Sequence, residues 1–296
     1  MSDKSVPAPR RNKRPDVEFT PVNNGLDYLD SAVRCLEGPE PPNAYDLKYA
    51  VLHLQAATEV LLKVRLAKEH WSLVFADPGK ASLQAYNKGE FNSCTVEEAL
   101  KRLEEVASVK LLEDGKAAIG KLQKIRNALT HFGHVENAYA VEAQAAAVLD
   151  FLLEFIHLHL KSEPGVYETM DRLRLRLAGI QRYVRDRMNK LSGVLTPLVG
   201  RTVWCNECGQ WAVVVGESNV TCRFCLYEYG EEPEAAALEY KWMRHYPDDF
   251  IVTCKGCGSL SILKCRVASD KDRECLLCFA CGDRYVRTGE TVVIPS

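Results

Sequence analysis

Eight cysteines in the last third of the chain form four Cys-x-x-Cys pairs, which are Cys205/Cys208, Cys222/Cys225, Cys254/Cys257 and Cys278/Cys281. Four thiolates carried on two tight turns satisfy the tetrahedral coordination of Zn2+ and leave no open position for a substrate. The spacing therefore predicts two zinc ions with a structural role and none for catalysis. Because segments this short cannot bury a self-sufficient core, zinc binding should supply most of their folding free energy.

The ligand set of the second site has an alternative, because Cys275 also forms a Cys-x-x-Cys pair with Cys278. Cys275 could thus replace Cys281 as a ligand. A glycine follows Cys281, as it follows two of the other pairs, and a glycine turn directs backbone N–H groups toward the sulfur atoms. We therefore expect the later pair to bind the metal, which leaves Cys265 and Cys275 unassigned.

The chain has 12 cysteines and no recognisable export signal. In a reducing compartment, paired cysteines of this kind bind metal rather than form disulfides. No apolar run of the sequence is long enough to cross a bilayer. We therefore expect a cytoplasmic protein without a membrane partner. A thiol-redox function would need a thioredoxin-like βαβ pattern, which the sequence lacks.

A second group of chemically capable side chains lies within residues 121–133, where Arg126, Asn127 and His131 occur in a helical pattern. At 100° per residue, Asn127 and His131 share one open face, whereas Arg126 lies within the apolar stripe. A guanidinium beside apolar residues needs a carboxylate, since an unpaired buried charge is costly. Glu59 is the candidate partner. The alternative for Glu59 is an ion pair with Lys63, one helical turn away.

These side chains suit the cleavage of a phosphodiester bond in RNA. The 2′-hydroxyl of RNA is an internal nucleophile, so the protein must supply only a proton acceptor and a permanent cation, without a metal. His131 suits the first role and Arg126 the second, while Asn127 could hold the imidazole or a phosphate oxygen. The same spacing recurs at Arg65 and His70, which we interpret as structural because Arg65 lies in a packed stripe.

Secondary-structure elements must position both the paired cysteines and the Arg126, Asn127 and His131 group. The sequence predicts a mainly α-helical fold followed by two small β-rich zinc ribbons. Few glycines and an apolar spacing near 3.6 residues mark 24–195 as a helical domain. Its predicted helices cover residues 25–37, 43–68, 95–106, 114–130, 137–161 and 166–191. Short β-rich runs then place one zinc ribbon at 200–235 and another at 245–296. Residues 1–23, basic and rich in proline, predict a flexible tail.

The helical domain resembles the HEPN superfamily. One helix reads Ala57-Thr-Glu-Val-Leu-Leu-Lys-Val-Arg-Leu66, and a later one carries Arg126-Asn127-x-x-x-His131-Phe132. In that superfamily an R-x4-6-H motif, often with Asn after the Arg, marks metal-independent endoribonucleases. The resemblance implies a bundle that homodimerises, so that two motifs face one cleft and cut RNA, frequently in toxin–antitoxin or antiviral systems.

The resemblance assigns Arg126 and His131 as the catalytic pair, with Asn127 as their polar companion and Glu59 as the acidic residue of the early helix. One toxin branch carries a tyrosine, two places after the His, that its antitoxin adenylylates. The corresponding residue is Gly133, so this mode of control is not expected here.

Two other functions fit the same residues. The bundle could be a dimerising scaffold whose ribbons bind a protein partner, or the chain could be a nucleic-acid-binding protein with a helical dimerisation domain. From residue 201 onward there are 11 Lys/Arg and 14 Asp/Glu, and the whole chain has a formal net charge of −2. A phosphate-binding surface is basic, so the ribbons favour protein contact or a cap on the bundle. The arginines between 172 and 187 are expected to grip an RNA backbone, unless they solvate an exposed helix.

Overall fold

The computed structural model describes residues 17–38, 40–131, 136–244, 250–288 and 291–293. Within these ranges the chain forms nine α-helices. They are α1 Pro21–Leu36, α2 Ala44–Glu69, α3 Leu83–Lys88, α4 Val96–Glu105, α5 Glu113–His131, α6 Ala138–His159, α7 Val166–Gly179, α8 Gln181–Leu195 and α9 Pro233–Met243. The first eight build a bundle in which α2 is central, because it packs against α1, α4, α5 and α6.

Local capping sets where several of these helices begin. The Thr95 hydroxyl accepts the Glu98 backbone N–H at 3.2 Å, and the Glu98 carboxylate accepts the Thr95 N–H at 2.7 Å, so α4 starts with a capping box. Helix α1 begins with Pro21, a residue pre-organised for a first turn. Residues 21–23 of the expected tail are therefore helical, while residues 1–16 lie outside the described residues.

The single helix expected over 166–191 is wrong, because α7 ends at Gly179 and α8 starts at Gln181. Between them, Ile180 has extended backbone angles of φ −87° and ψ 92° and is buried. Glycine weakens a helix at this point, and burial of the Ile180 side chain stabilises the turn. The break changes the direction of the chain, and α8 packs against α6.

The C-terminal part forms one antiparallel sheet within the described ranges. Its strands are β1 Thr202–Trp204, β2 Trp211–Val214, β3 Val220–Cys222, β4 Glu228–Tyr229, β5 Val252–Thr253, β6 Leu260–Val267, β7 Asp270–Cys278, β8 Arg284–Thr288 and β9 Thr291–Val293. Their order is β4-β3-β2-β1-β6-β7-β8-β9, with β5 also paired to β6. The predicted fold class, helices followed by β-rich modules with two cysteine clusters, is confirmed.

The two modules are continuous with each other. Val203 of β1 pairs with Val267 of β6, which joins the halves of the sheet. Helix α9, which has no counterpart among the predicted helices, contacts both halves of the sheet. The Tyr240 hydroxyl donates to the Trp204 carbonyl at 2.8 Å, and the Arg244 guanidinium donates to the Lys264 carbonyl at 2.7 Å. Among the described helices, none combines the length and apolar character that a bilayer span requires.

Candidate metal centres and the candidate catalytic face

The eight paired cysteines lie in two groups of four. Within each group the sulfur atoms are all within 4.8 Å of one another. Sγ–Sγ distances of 3.7 Å join Cys205 to Cys225 and Cys208 to Cys222 in the first group. The same distance of 3.7 Å joins Cys254 to Cys281 and Cys257 to Cys278 in the second. A tetrahedral zinc ion with Zn–S bonds of about 2.3 Å implies sulfur atoms about 3.8 Å apart. Both groups therefore fit a zinc ion.

Each Cys-x-x-Cys pair is followed by a residue in the left-handed backbone region. These residues are Gly209, Leu226, Gly258 and Gly282, with φ of 68°, 60°, 79° and 79°. The N–H of each donates to the carbonyl of the first cysteine of its pair, at 2.8 to 2.9 Å. Glycine adopts this conformation without strain, whereas Leu226 does so at a cost of about 1 to 2 kcal/mol. The four turns thus share one geometry that aims their sulfur atoms at a common point.

The two clusters differ in burial. All four cysteines of the first cluster are buried, whereas Cys257 is exposed and Cys281 is half-buried in the second. In the second cluster, a hydrogen bond from the Tyr285 hydroxyl and nearby backbone N–H groups outweigh burial and lower the pKa of Cys254 to about 6, whereas burial raises the pKa of Cys281. A thiolate at neutral pH is the form that binds a metal.

The alternative ligand Cys275 lies away from the second cluster, which contains Cys281 instead. Cys275 on β7 is paired in register with Cys265 on β6, and both side chains are buried. Cys94 is also buried, while Cys35 is half-buried, and burial raises the pKa of both thiols.

The first cluster is anchored to the bundle by two buried arginines. Arg187 of α8 donates to the Phe224 carbonyl at 2.6 Å and to the Arg223 carbonyl at 3.1 Å. Arg174 of α7 donates to the Cys225 carbonyl at 3.3 Å. Burial lowers the pKa of Arg187 to about 10, so its guanidinium stays charged at neutral pH.

The expectation that the arginines of 172–187 grip RNA is therefore wrong for Arg174 and Arg187. Two others are engaged in ion pairs, since Arg176 lies 2.7 Å from Glu37 and Arg182 lies 2.6 Å from Asp186. The physical reason is that a guanidinium can satisfy buried carbonyls as well as phosphates. These contacts make the first module a cap on the bundle, which was one of the alternatives.

The three residues of the predicted catalytic group lie in the last turns of α5. Asn127 and His131 are exposed and Arg126 is half-buried, so solvent reaches all three. The Thr130 hydroxyl donates to the Arg126 carbonyl at 2.8 Å. His131 follows Arg126 by five positions, which corresponds to about 140° around an ideal helix. Phe132 and Gly133 lie outside the described residues.

Lys121 and Lys124, which are not among the predicted site residues, extend this surface. Both are exposed, and no ion pair involves either of them in the part of the chain that the structure describes. Lys124 precedes Asn127 by three residues and His131 by seven, so the three share one side of the helix. This spacing is visible in the sequence and could have assigned Lys124 to the same surface as Asn127 and His131. We call this helix end the α5 face, with Lys121, Lys124, Asn127 and His131 on one side and Arg126 about 140° from His131 around the helix.

Glu59 contacts Lys63 rather than Arg126. The carboxylate lies 2.5 Å from the Lys63 ammonium, which also donates to the Ser93 hydroxyl at 2.8 Å. Across the described ranges, no ion pair joins Glu59 to Arg126. The structure thus shows the second of the two alternatives, because a neighbour one helical turn away is always within reach.

The second Arg/His pair makes local contacts, in keeping with a structural role. Arg65 donates to Glu69 at 2.7 Å, on the same helix. The His70 side chain accepts the Ser72 N–H at 3.2 Å and so caps the short turn Trp71–Val74.

No family model, curated protein or solved structure matches this chain. The resemblance to the HEPN superfamily therefore rests on the motif and its helical setting. The fold and the clusters define a helical bundle with a C-terminal antiparallel sheet that carries two four-cysteine sites.

Proposed function

We propose that this protein is a metal-independent endoribonuclease whose α5 face binds and cleaves RNA. The observation that supports the proposal is the solvent access of Arg126, Asn127 and His131 on one helix end, beside exposed Lys124. Among the described residues, Arg126 has no carboxylate partner, so its guanidinium is available to a phosphate. A cation, an imidazole and an amide are the groups that cleavage by the 2′-hydroxyl needs.

In the proposed reaction, His131 takes the proton of the 2′-hydroxyl, and the 2′-oxygen attacks phosphorus. Arg126 stabilises the charge that develops on the phosphoryl oxygens, while Asn127 orients one of them. The bond from phosphorus to the 5′-oxygen then breaks, and that oxygen takes a proton from an acid on the opposite side. The products are a 2′,3′-cyclic phosphate and a 5′-hydroxyl.

A homodimer would supply the catalytic groups that one copy lacks. One His131 cannot be both the base and the acid, because the attacking and leaving oxygens lie on opposite sides of the phosphorus atom. In one copy, Arg126 and His131 also leave α5 in directions about 140° apart. A second copy facing the first supplies the missing acid and the missing cation to each phosphate.

The proposal assigns Zn2+ to both four-cysteine clusters, with a structural role. When bound, the metal cross-links two turns in each module and takes no part in the reaction. The first module, anchored by Arg187, then holds α8 in place. We place the protein in the cytoplasm, as a toxin or antiviral nuclease acting on RNA.

The test incubates the zinc-loaded protein with labelled single-stranded RNA and a brief excess of EDTA. We expect fragments ending in a 2′,3′-cyclic phosphate, and at least a 100-fold slower reaction for His131→Ala and for Arg126→Ala. His70→Ala is the matched control, because it removes an exposed histidine with the same spacing from an arginine, and it should cleave at the wild-type rate.

Circular dichroism and zinc content show whether each variant keeps its fold. Absence of cleavage by the wild-type dimer, or full activity of His131→Ala, would contradict the proposal. In that case the scaffold and nucleic-acid-binding functions remain, and salt-dependent binding to nucleic acid separates them.

A further inference from the structure

A cleft lies along α6, far from the α5 face. Its walls are α6, α8 and residues 110–115, where α5 begins, and its volume is about 380 Å3. Sites for small molecules fall in this range of volume. Gly115 lines the cleft, and Arg126, in the middle of the α5 face, follows it by 11 positions on the same helix. At 1.5 Å per residue, the two positions are about 16 Å apart along the helix axis.

One wall of the cleft is aromatic. Phe151 and Phe155 of α6 have nearly parallel rings, with centroids 5.8 Å apart and an interplanar angle of 19°. Leu111, Ala147 and Leu158 add further apolar groups to the lining. A flat ring of another molecule can pack against this wall.

The cleft lining also holds a polar group without a partner in the described ranges, the Tyr183 hydroxyl, and one with a single long contact, the Glu154 carboxylate. Tyr183 is 2% exposed, and its hydroxyl has no hydrogen-bond partner among the described residues. A buried hydroxyl without a partner is costly. Glu154 is half-buried, and the nearest cation to its carboxylate is Arg187, at 3.4 Å.

Most other charged groups of the cleft have partners, whereas the exposed Lys110 makes no ion pair within the described residues. Asp150 contacts Arg187 and lies 2.7 Å from the Lys190 ammonium, which is also 3.3 Å from Asp114. Arg187 directs its remaining donors at backbone carbonyls.

The lining has more acids than bases. It contains four carboxylates, which belong to Asp114, Asp150, Glu154 and Asp186, and three cationic side chains, which belong to Lys110, Arg187 and Lys190. Burial lowers the pKa of His159, the remaining titratable imidazole of the lining, so it adds little positive charge. Burial also raises the pKa of Glu154, although Lys190 lowers it in part. Asp186 is paired with Arg182 at 2.6 Å, so the deficit of positive charge concerns Asp114, Asp150 and Glu154, which within the described ranges share only Arg187 and Lys190.

We propose that this cleft binds a small organic cation with an aromatic body, such as an aryl amidine or arylamine. The cationic nitrogen lies against the Glu154 carboxylate, and a second N–H reaches the unpartnered Tyr183 hydroxyl. The ring packs on Phe151 and Phe155. An anion of the same shape is rejected, because it would place a third negative charge beside Glu154 and Asp150.

The test measures binding of benzamidine to the zinc-loaded full-length protein by saturation-transfer NMR and by calorimetry. Benzoate, which has the same ring and the opposite charge, is the paired probe. We expect saturable binding of benzamidine and none of benzoate. Glu154→Gln keeps the shape of the side chain and should weaken benzamidine binding about tenfold or more, because a charge-assisted contact is lost.

Glu142→Gln is the matched control, because Glu142 lies on the same helix but outside the cleft lining. It should bind benzamidine as the wild type does. Ala147→Phe fills the cleft from an exposed position and should abolish binding while the circular dichroism spectrum stays unchanged. Equal binding of benzoate, no binding of benzamidine, or unchanged binding in the folded Glu154→Gln and Ala147→Phe variants would overturn the proposal. None of these outcomes depends on RNA cleavage.

Discussion

The guanidinium of Arg187 on α8 donates to the backbone carbonyl of Phe224 at 2.6 Å, inside the second Cys-x-x-Cys turn of the first metal centre. The same side chain contacts Asp150 of α6 and is 2% exposed. One buried cation thus connects two helices of the bundle to the backbone that carries Cys222 and Cys225. The core reflects this, since buried residues of the helices and of the first module form one continuous cluster.

Replacing Arg187 by Met should lower the free energy of unfolding by about 3 to 5 kcal/mol, because Asp150 and two carbonyls lose their buried partner. Arg187→Lys should recover only part of this loss, since an ammonium lacks the planar fork of donors. Urea unfolding followed by circular dichroism measures the change. Arg185→Met, on the same helix but 63% exposed, is the control and should stay within about 0.5 kcal/mol of the wild type.

The zinc content tests the assignment of the clusters. The wild-type protein should bind two zinc ions, and Cys208→Ser should bind one. Cys265→Ser is the control, because Cys265 is buried outside both clusters and should leave two ions in place. Under a chelator, the second centre should release its ion first, since Cys257 is exposed whereas the first centre is buried. Mass spectrometry under native conditions gives the stoichiometry, and simultaneous release of both ions would contradict the order.

Much of the fold follows from signals that are local in the sequence. The capping residues Asn43 and Thr95 and the apolar stripes define most helices, and the spacing of the cysteines groups them correctly. The pairing of Val203 with Val267 has no such signal, because it joins segments that are distant in the sequence. The break at Ile180 was also missed, since a single glycine is weak evidence for the end of a helix.

The environment of charged residues was the least predictable feature of the site. Arginines in a helix usually solvate its surface, yet Arg174 and Arg187 are buried against backbone carbonyls. Backbone carbonyls are present at every residue, so the sequence does not indicate which of them a guanidinium will meet. The contact of Glu59 with Lys63, by contrast, could be predicted from the sequence, because the two residues are one turn apart on the same helix.

Acidification should destabilise the protein partly through His157. Burial lowers the pKa of this imidazole, although Glu228, 3.5 Å away, partly opposes the effect. The unfolded chain therefore binds the proton first, and the stability contributed by neutral His157 is lost as the pH falls through its unfolded value of about 6.5.

We expect His157→Gln to lose less stability between pH 7.5 and pH 5.5 than the wild type does, in urea unfolding. Glu228→Gln should have the opposite effect, since its removal lowers the pKa of His157 further. All three proteins share the same metal centres, so the differences between them report on the imidazole. A steeper pH dependence in His157→Gln would contradict this assignment.

Replacement by alanine should change the free energy of unfolding in opposite directions at two glycines of α5. A Cβ atom on Gly115 would lie 2.5 Å from a ring carbon of Phe151, which is buried, whereas one on Gly120 would meet no described atom within 4 Å. Gly115→Ala should therefore lower the free energy of unfolding by about 1 to 3 kcal/mol through overpacking. Gly120→Ala should raise it by about 0.5 to 1 kcal/mol, because alanine loses less conformational entropy in a helix. Urea unfolding of the two variants checks the pair, and stabilisation by both would show that Phe151 moves aside at little cost.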